Sequence, residues 1–221
     1  MQRVIAPSQM SGEGLARAYA GADLADANRR FIALFEQRFP EFDGGLVLDV
    51  GCGPGDITIR FAHRYVEATI HGLDGSGAML RYAQHALAHA PDLRTRVRFV
   101  QGTLPEAVLP RHQYQADISN GLLHRLPEPA VLWHALPTLG RPGAAVCIMD
   151  LRRPESAAQA RAIVERHAGG RPQILRQDFY DGLLAAFVED EVREQLAAAG
   201  LPLAVEACND HRLLAWGRLP G

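Results

Sequence analysis

The sequence predicts one α/β domain built on a mostly parallel β-sheet. Short apolar runs alternate with stretches of helical periodicity along most of the 221 residues, which is typical of strands joined by crossover helices. The first apolar run, residues 46–50, leads into a turn that contains three closely spaced glycines. Near the end of the chain, two apolar runs are separated only by residues 209–211, which predicts a hairpin and therefore a reversed last strand.

The individual elements follow from periodicity and from turn residues. Residues 24–38 are predicted to be helical because Phe31, Leu34 and Phe35 recur at helical spacing, and Pro40 ends that helix. The other predicted helices cover residues 56–65, 74–89, 128–139, 155–168, 177–187 and 189–199. The predicted strands cover residues 46–49, 68–73, 96–101, 116–120, 144–150, 203–208 and 212–217.

The glycine turn after the first strand predicts a ligand site. Gly51, Gly53 and Gly55 remove the side chains that would keep a ligand away from the backbone. A dinucleotide fingerprint has the spacing G-x-G-x-x-G, which would place its last glycine at position 56, where this chain has Asp56. Asp49, at the end of the strand, would repel a pyrophosphate and attract a cationic ligand.

Composition excludes several classes of partner. The net charge of -2 gives no electrostatic reason to expect nucleic acid or an anionic membrane, so we expect neither as a partner. The three cysteines form no C-x-x-C pair, and no signal-peptide core or membrane-length apolar run is visible. We therefore expect a soluble cytoplasmic protein, a monomer or a homodimer. No set of histidines, cysteines and acids has ligand spacing, so no metal site is expected.

The G-x-G-x-G turn, with Asp49 two residues before it, resembles motif I of the class I S-adenosylmethionine-dependent methyltransferases, with most likeness to the ubiquinone and menaquinone branch. The resemblance covers about residues 15–217. It implies a Rossmann-like, seven-stranded, mostly parallel sheet with helices on both faces and an antiparallel last strand. It also implies one methyltransferase domain over residues 1–221, with an N-terminal helical lid at 1–40 and a helical insert at 151–188.

The resemblance also implies a set of cofactor-binding residues at the carboxyl ends of the strands. Asp74 is placed to accept hydrogen bonds from both ribose hydroxyls, and Met79 to pack against adenine. Thr103 stands where many relatives have an acid, which removes a charge-assisted bond to adenine. The full set expected to bind S-adenosylmethionine, or the product S-adenosylhomocysteine, is Tyr19, Asp49, Gly51, Cys52, Gly53, Asp74, Gly75, Ser76, Met79, Gly102, Thr103, Leu104, Asn120 and Gly121.

Five residues are candidates for the acceptor side of the site. His124 follows the fourth predicted strand and is the candidate catalytic base, with packing as the alternative role. Arg152 and Arg153 follow the fifth strand and are candidates to clamp an anionic acceptor, or else to pair with acids. Phe179 and Tyr180 are candidate walls of the acceptor pocket, with core positions as the alternative.

Three functions remain open on the sequence alone. The first is methyl transfer to a small-molecule acceptor. The second is a protein or partner subunit that binds S-adenosylmethionine without transferring its methyl group. The third is a nicotinamide-dependent oxidoreductase, which the glycine spacing disfavours.

Overall fold

Seven strands form a single sheet. Numbered along the chain, they are β1 (Gly44–Val50), β2 (Glu67–Asp74), β3 (Val97–Gln101), β4 (Tyr114–Asn120), β5 (Gly140–Leu151), β6 (Ala204–Ala207) and β7 (Arg212–Arg218). Their order in the computed structural model, which describes residues 1–5 and 12–221, is β3-β2-β1-β4-β5-β7-β6. Strands β1 to β5 pair in parallel, whereas β7 is antiparallel to both β5 and β6. The predicted fold class is confirmed.

Eight α-helices are present in the described part of the chain. They are α1 (Glu13–Ala20), α2 (Ala25–Arg38), α3 (Asp56–Arg64), α4 (Gly77–Ala88), α5 (Ala130–Leu139), α6 (Ala157–Ala168), α7 (Gln173–Ala185) and α8 (Glu189–Ala198). Serine hydroxyls begin two of them: Ser76 Oγ accepts from Met79 N at 3.3 Å, and Ser156 Oγ accepts from Gln159 N at 3.1 Å. Helix α7 begins four residues before its predicted start. Among the described residues, no helix is both long and apolar enough to cross a membrane.

The sheet separates two apolar cores. Neighbouring residues of β1 point to opposite faces, so Leu48 packs with Trp133 and Ile148, whereas Val47 packs with Phe31 and other aromatic side chains. All five of these side chains are fully buried. Helices therefore cover both faces, and the carboxyl ends of the parallel strands are left as the edge at which a ligand site can form. The chain changes direction between β1 and β4, and ligands collect beside such a switch point.

One buried carboxyl group gives a test of the core. Neither oxygen of Asp117, in the middle of β4, has a hydrogen-bond partner among the described residues, and burial raises the pKa of this group well above its ordinary value. The native state therefore keeps a proton that the unfolded chain loses at about pH 4. As a result, the contribution of Asp117 to stability is present at low pH and is lost as the pH rises above that value.

We expect Asp117→Asn, which keeps the shape and cannot ionise, to gain stability relative to the wild type as the pH rises. The difference in unfolding free energy, variant minus wild type, should be about 1–3 kcal/mol larger at pH 8 than at pH 4.5. Urea unfolding of both proteins at the two pH values measures this difference. A difference that does not change with pH would contradict the assignment of a protonated Asp117.

Candidate cofactor and acceptor site

A cavity of about 1390 Å³ lies at the carboxyl edge of the sheet. A pocket for one small ligand typically has about 300–1,000 Å³, so this volume leaves room for a cofactor and an acceptor together. Its walls come from the turn after β1, the ends of β2 and β4, the first residue of β7, and helices α1 and α7. The cavity therefore lies at the switch point that the sheet order creates.

The glycine turn forms the floor of the cavity. Gly51, Gly53 and Gly55 have φ angles of 76°, 55° and 83°, which side-chain-bearing residues rarely adopt. A Cβ atom at Gly55 would lie 2.7 Å from Phe99 Cζ, so this glycine is required for packing. A Cβ atom at Gly53 would meet nothing within 4 Å, because this part of the backbone faces the open cavity. Gly53 is thus the position at which the turn exposes backbone to a ligand.

Two acids beside the turn have different roles. Asp74 lines the cavity and braces the turn: its Oδ2 accepts from Gly53 N at 2.8 Å and its Oδ1 from Ser76 N at 2.7 Å. Burial raises the pKa of Asp74, although the two backbone donors oppose the shift. Asp49 is only 2% exposed and accepts from the Thr58 hydroxyl at 2.6 Å, which ties β1 to α3. Burial raises the pKa of Asp49 to about 7.

The structure divides the expected cofactor residues into two groups. Those that line the cavity are Tyr19, Gly51, Cys52, Gly53, Asp74, Met79, Asn120 and Gly121. Those that do not line it are Asp49, Gly75, Ser76, Gly102, Thr103 and Leu104. Gly102 to Leu104 still lie beside the second strand end, because a Cβ atom at Gly75 would be 2.9 Å from Thr103 Cγ2. The Thr103 hydroxyl is exposed and donates to Glu106 at 3.4 Å, so the structure gives it no contact with the cavity.

Helix α1 closes one side of the cavity through Tyr19. The Tyr19 hydroxyl donates to Asp178 of α7, and Arg125 donates to the same carboxylate through Nη1 at 3.1 Å and Nη2 at 2.7 Å. Burial and the neighbouring Asp178 raise the pKa of Tyr19. Burial alone would raise the pKa of Asp178, but its bonds to Arg125 and Tyr19 lower it. This buried network joins the N-terminal helix to α7 and to the turn after β4.

His124 forms a buried pair with Asp150, the last but one residue of β5. His124 Nδ1 lies 2.6 Å from Asp150 Oδ1, and Asp150 Oδ2 accepts from Leu123 N at 2.6 Å. Among the described residues, His124 Nε2 has no hydrogen-bond partner. A Cβ atom at Gly182 of α7 would lie 3.1 Å from Nε2, so only glycine allows α7 to approach the ring this closely. The carboxylate fixes the orientation of the imidazole and leaves Nε2 as its available nitrogen.

Three of the other acceptor candidates are turned away from the cavity. Arg152 Nε donates to both oxygens of Glu189 at 2.9 Å. Arg153 donates to Glu191 at 2.6 and 2.9 Å and to the Ala186 carbonyl. None of Arg152, Arg153 and Tyr180 lines the cavity. The interpretation of the arginine pair as a clamp is therefore corrected: helix α8, which follows α7, supplies the acids that neutralise both guanidinium groups.

Tyr180 packs against α6, where Arg161 lies over its ring at 5.7 Å. Its neighbour Phe179 lines the cavity instead, together with Leu175 and Asp178. Asp178 and Phe179 lie three and four residues after Leu175, so the three residues share one face of α7. Of the two aromatic residues predicted for the acceptor wall, Phe179 lines the cavity and Tyr180 does not.

His167 of α6 meets two consecutive residues of the β6–β7 turn at the rim of the cavity. His167, Asp210 and His211 offer ligand atoms that all lie within 4.8 Å of one another. Sequence spacing gave no sign of this group because α6 and the β6–β7 turn contribute separate members. Asp210 Oδ2 also accepts from Arg166 at 2.8 Å, and Asp210 Oδ1 lies 2.6 Å from His211 Nδ1. The hydrogen bonds from both histidines lower the pKa of Asp210 to about 2.

Residues 47–143 match the family described as methyltransferase domain. The match covers less than half of the chain. The matched residues include the glycine turn, Asp74, Asn120 at the end of β4 and His124.

Curated relatives match over somewhat more than half of the chain. The chain is 32% identical over 124 residues to a trans-aconitate 2-methyltransferase of Azoarcus, covering 56% of this chain and 46% of the relative. It is also 32% identical over 131 residues to a ubiquinone biosynthesis O-methyltransferase of Alkalilimnicola ehrlichii, covering 59% and 51%. The chain thus spans about half the length of these relatives.

Solved structures superpose on nearly the whole chain. A putative S-adenosyl-L-methionine-dependent methyltransferase from Methanococcus maripaludis superposes with a TM-score of 0.73 and 18% identity, covering 100% of this chain and 98% of that one. The [4+2]-cyclase SpnF superposes with a TM-score of 0.71 and 17% identity, covering 99% and 98%. The domain therefore has the class I methyltransferase fold. Since a protein named as a cyclase shares it, the reaction must be argued from the site.

Three residues of the site were missed on the sequence. Asp150 and Asp178 lie in segments that were recognised, but their contacts join elements that are distant in sequence. Arg212 lines the cavity from the first position of β7. One signal was available for Asp150, which lies within one residue of the carboxyl end of its strand, as Asp49 and Asp74 do in β1 and β2.

Proposed function

We propose that this protein is an S-adenosylmethionine-dependent methyltransferase that acts on a small-molecule acceptor. The observation that supports this most is Gly53, whose backbone faces open cavity while the neighbouring Asp74 holds the turn in place. A ligand can approach the backbone there, beside a carboxylate able to accept bonds from hydroxyl groups. Methyltransferase relatives and the domain family agree with this reading.

The residues around the cavity suit the parts of S-adenosylmethionine. We assign the methionine part to the turn from Gly51 to Gly53 and to Asn120 and Gly121 at the end of β4. We assign the ribose to Asp74 and the adenine to Met79, which lines the cavity from the first turn of α4. When bound, the cofactor supplies a methyl group on a sulfonium, a good leaving group for in-line displacement.

The protein's own residues then exclude water and manage a proton. Tyr19 and its partner Asp178 hold α1 and α7 together at one side of the cavity, which favours a dry site. For an acceptor that carries a proton on the attacking atom, we assign His124 Nε2 as the general base, oriented by Asp150 at Nδ1. Because α7 lies over Nε2 at Gly182, this role requires α7 to shift slightly when the acceptor binds.

We further propose that the acceptor is small and that the enzyme works in the cytoplasm. Helices α1 and α7 cover the cavity, which suits an enclosed small molecule better than a polymer. Cys52, Cys147 and Cys208 are all free thiols, as expected in a reducing compartment. A monomer or a homodimer stays the prediction for the oligomeric state.

The cofactor assignment predicts that Asp74→Ala weakens binding of S-adenosylhomocysteine about 10- to 100-fold. The variant removes the acceptor of the ribose hydroxyls, and a hydrogen bond to a charged group contributes about 1.5–3 kcal/mol. Isothermal titration calorimetry measures the change, and Asp190→Ala, an exposed acid on α8, is the control that should leave affinity unchanged. Equal affinities for Asp74→Ala and the wild type would remove Asp74 from the site.

Catalysis itself is tested by release of S-adenosylhomocysteine when the wild type is incubated with S-adenosylmethionine and a panel of small metabolites. Product release with at least one acceptor is the expected result. Tight binding of S-adenosylmethionine without turnover on any acceptor would favour the non-catalytic binding protein instead.

A further inference from the structure

We propose that the methyl acceptor carries an anionic group, a carboxylate or a phosphate, and that Arg212 and Arg171 bind it. This inference rests on the proposed function, because it identifies the chemical class of the acceptor in the same cavity. It replaces the arginine pair that the sequence had suggested for this role.

Arg212 is placed at the site by the reversal of the last strand. Since β7 runs antiparallel to β5, its first residue pairs with Leu151 at the carboxyl edge of the sheet. From there Arg212 Nη1 donates to Asn120 Oδ1 at 3.0 Å. Asn120 ends β4 and directly precedes the turn that leads to His124. An anion held by Arg212 would therefore lie close to the position where we place methyl transfer.

Charge balance in the cavity supports an anionic ligand. Arg125, another arginine that lines the cavity, has its charge neutralised by Asp178. Arg212 and Arg171 both line the cavity, yet within residues 1–5 and 12–221 neither forms an ion pair with a carboxylate. Burial lowers the pKa of Arg212; Asp150 opposes this shift and the nearby Arg171 adds to it. Two cations that share one cavity wall are costly unless an anion joins them.

The nearest acids are already occupied by other partners. Asp150 accepts from His124 and from backbone amides, and Asp210 at the rim is shared by Arg166 and two histidines. Guanidinium binds carboxylate and phosphate in bidentate fashion, and the Nη2 and Nε atoms of Arg212 have no hydrogen-bond partner in the described ranges. The apolar side chains of Phe179 and Leu175 on α7 complete this end of the cavity. The matching acceptor is a small acid with an apolar part.

The test uses citrate and inorganic phosphate as anion probes, added to protein saturated with S-adenosylhomocysteine. Thermal unfolding is followed at constant ionic strength, with sodium chloride as the reference salt. We expect both Arg212→Met and Arg171→Met to lower the affinity for the stabilising anion at least about 10-fold, since each removes a charge-assisted contact. Citrate and phosphate titrations run separately show which anion the site prefers.

Arg98→Met is the matched control, because Arg98 is an exposed arginine on strand β3. It should respond to both anions as the wild type does. Equal anion stabilisation of all four proteins would overturn the proposal, as would turnover of neutral esters in preference to the parent acids. If the wild type does not bind S-adenosylhomocysteine, the proposed function is refuted instead, so the two failures are distinguishable.

Discussion

Gly53→Val is expected to abolish cofactor binding while leaving the protein folded. The substitution adds a branched side chain at the one position of the turn where a Cβ atom has open space, which is the space we assign to the methionine part of the cofactor. A φ of 55° also strains a β-branched residue, at a cost of about 1–3 kcal/mol. We expect affinity for S-adenosylhomocysteine, measured by calorimetry, to fall at least about 100-fold, or about 2.7 kcal/mol.

Gly200→Val is the matched control for backbone strain. Gly200 has a φ of 68° and open space around its Cβ position, but it follows α8 and does not line the cavity. Both variants should lose similar stability in urea unfolding, and only Gly53→Val should lose binding. Retained affinity in Gly53→Val would mean that the cofactor does not contact this turn.

His124→Ala is expected to lower kcat about 10²- to 10⁴-fold with an acceptor that must lose a proton, without changing the affinity for S-adenosylhomocysteine. The imidazole is held by Asp150 at Nδ1, and alanine leaves no group to accept the proton at Nε2. Asp150→Asn should lower kcat as well, because a positioning carboxylate is lost, and should alter the pH dependence of kcat. Steady-state kinetics of S-adenosylhomocysteine release give kcat and its pH dependence, and calorimetry gives the affinity for S-adenosylhomocysteine.

The control for these variants is His134→Ala, an exposed histidine on α5. It should keep full activity. If His124→Ala is equally active, the histidine has a packing role and the transfer needs no protein base. A loss of cofactor affinity in His124→Ala would also contradict the assignment, because we place His124 on the acceptor side.

The parts of the fold that depend on local sequence pattern could be predicted. The apolar runs and the glycine turn predicted the parallel strands, and the family resemblance gave Asp74 and Met79 as candidate cofactor residues. These features are local because a strand, its exit turn and the following helix cap are consecutive in the chain. Their position at one edge of the sheet then follows from the parallel arrangement.

The roles that depend on long-range pairing were missed. Arg152 and Arg153 were predicted to bind an anionic acceptor. In the fold they pair instead with Glu189 and Glu191 of α8, about 37 residues further along the chain. Asp49 similarly reads as a ligand but is buried against Thr58. Arg212 was missed because only the last residues of the predicted strands were considered as site residues. An antiparallel strand reaches the same edge of the sheet with its first residue, which in β7 is Arg212.

The most direct measurement of the central claim is a pair of calorimetric titrations of the wild-type protein, one with S-adenosylhomocysteine and one with NAD. We predict one bound S-adenosylhomocysteine per chain and no binding of NAD, because the G-x-G-x-G spacing of the turn departs from the G-x-G-x-x-G fingerprint of dinucleotide sites. Binding of NAD, with no binding of S-adenosylhomocysteine, would contradict it.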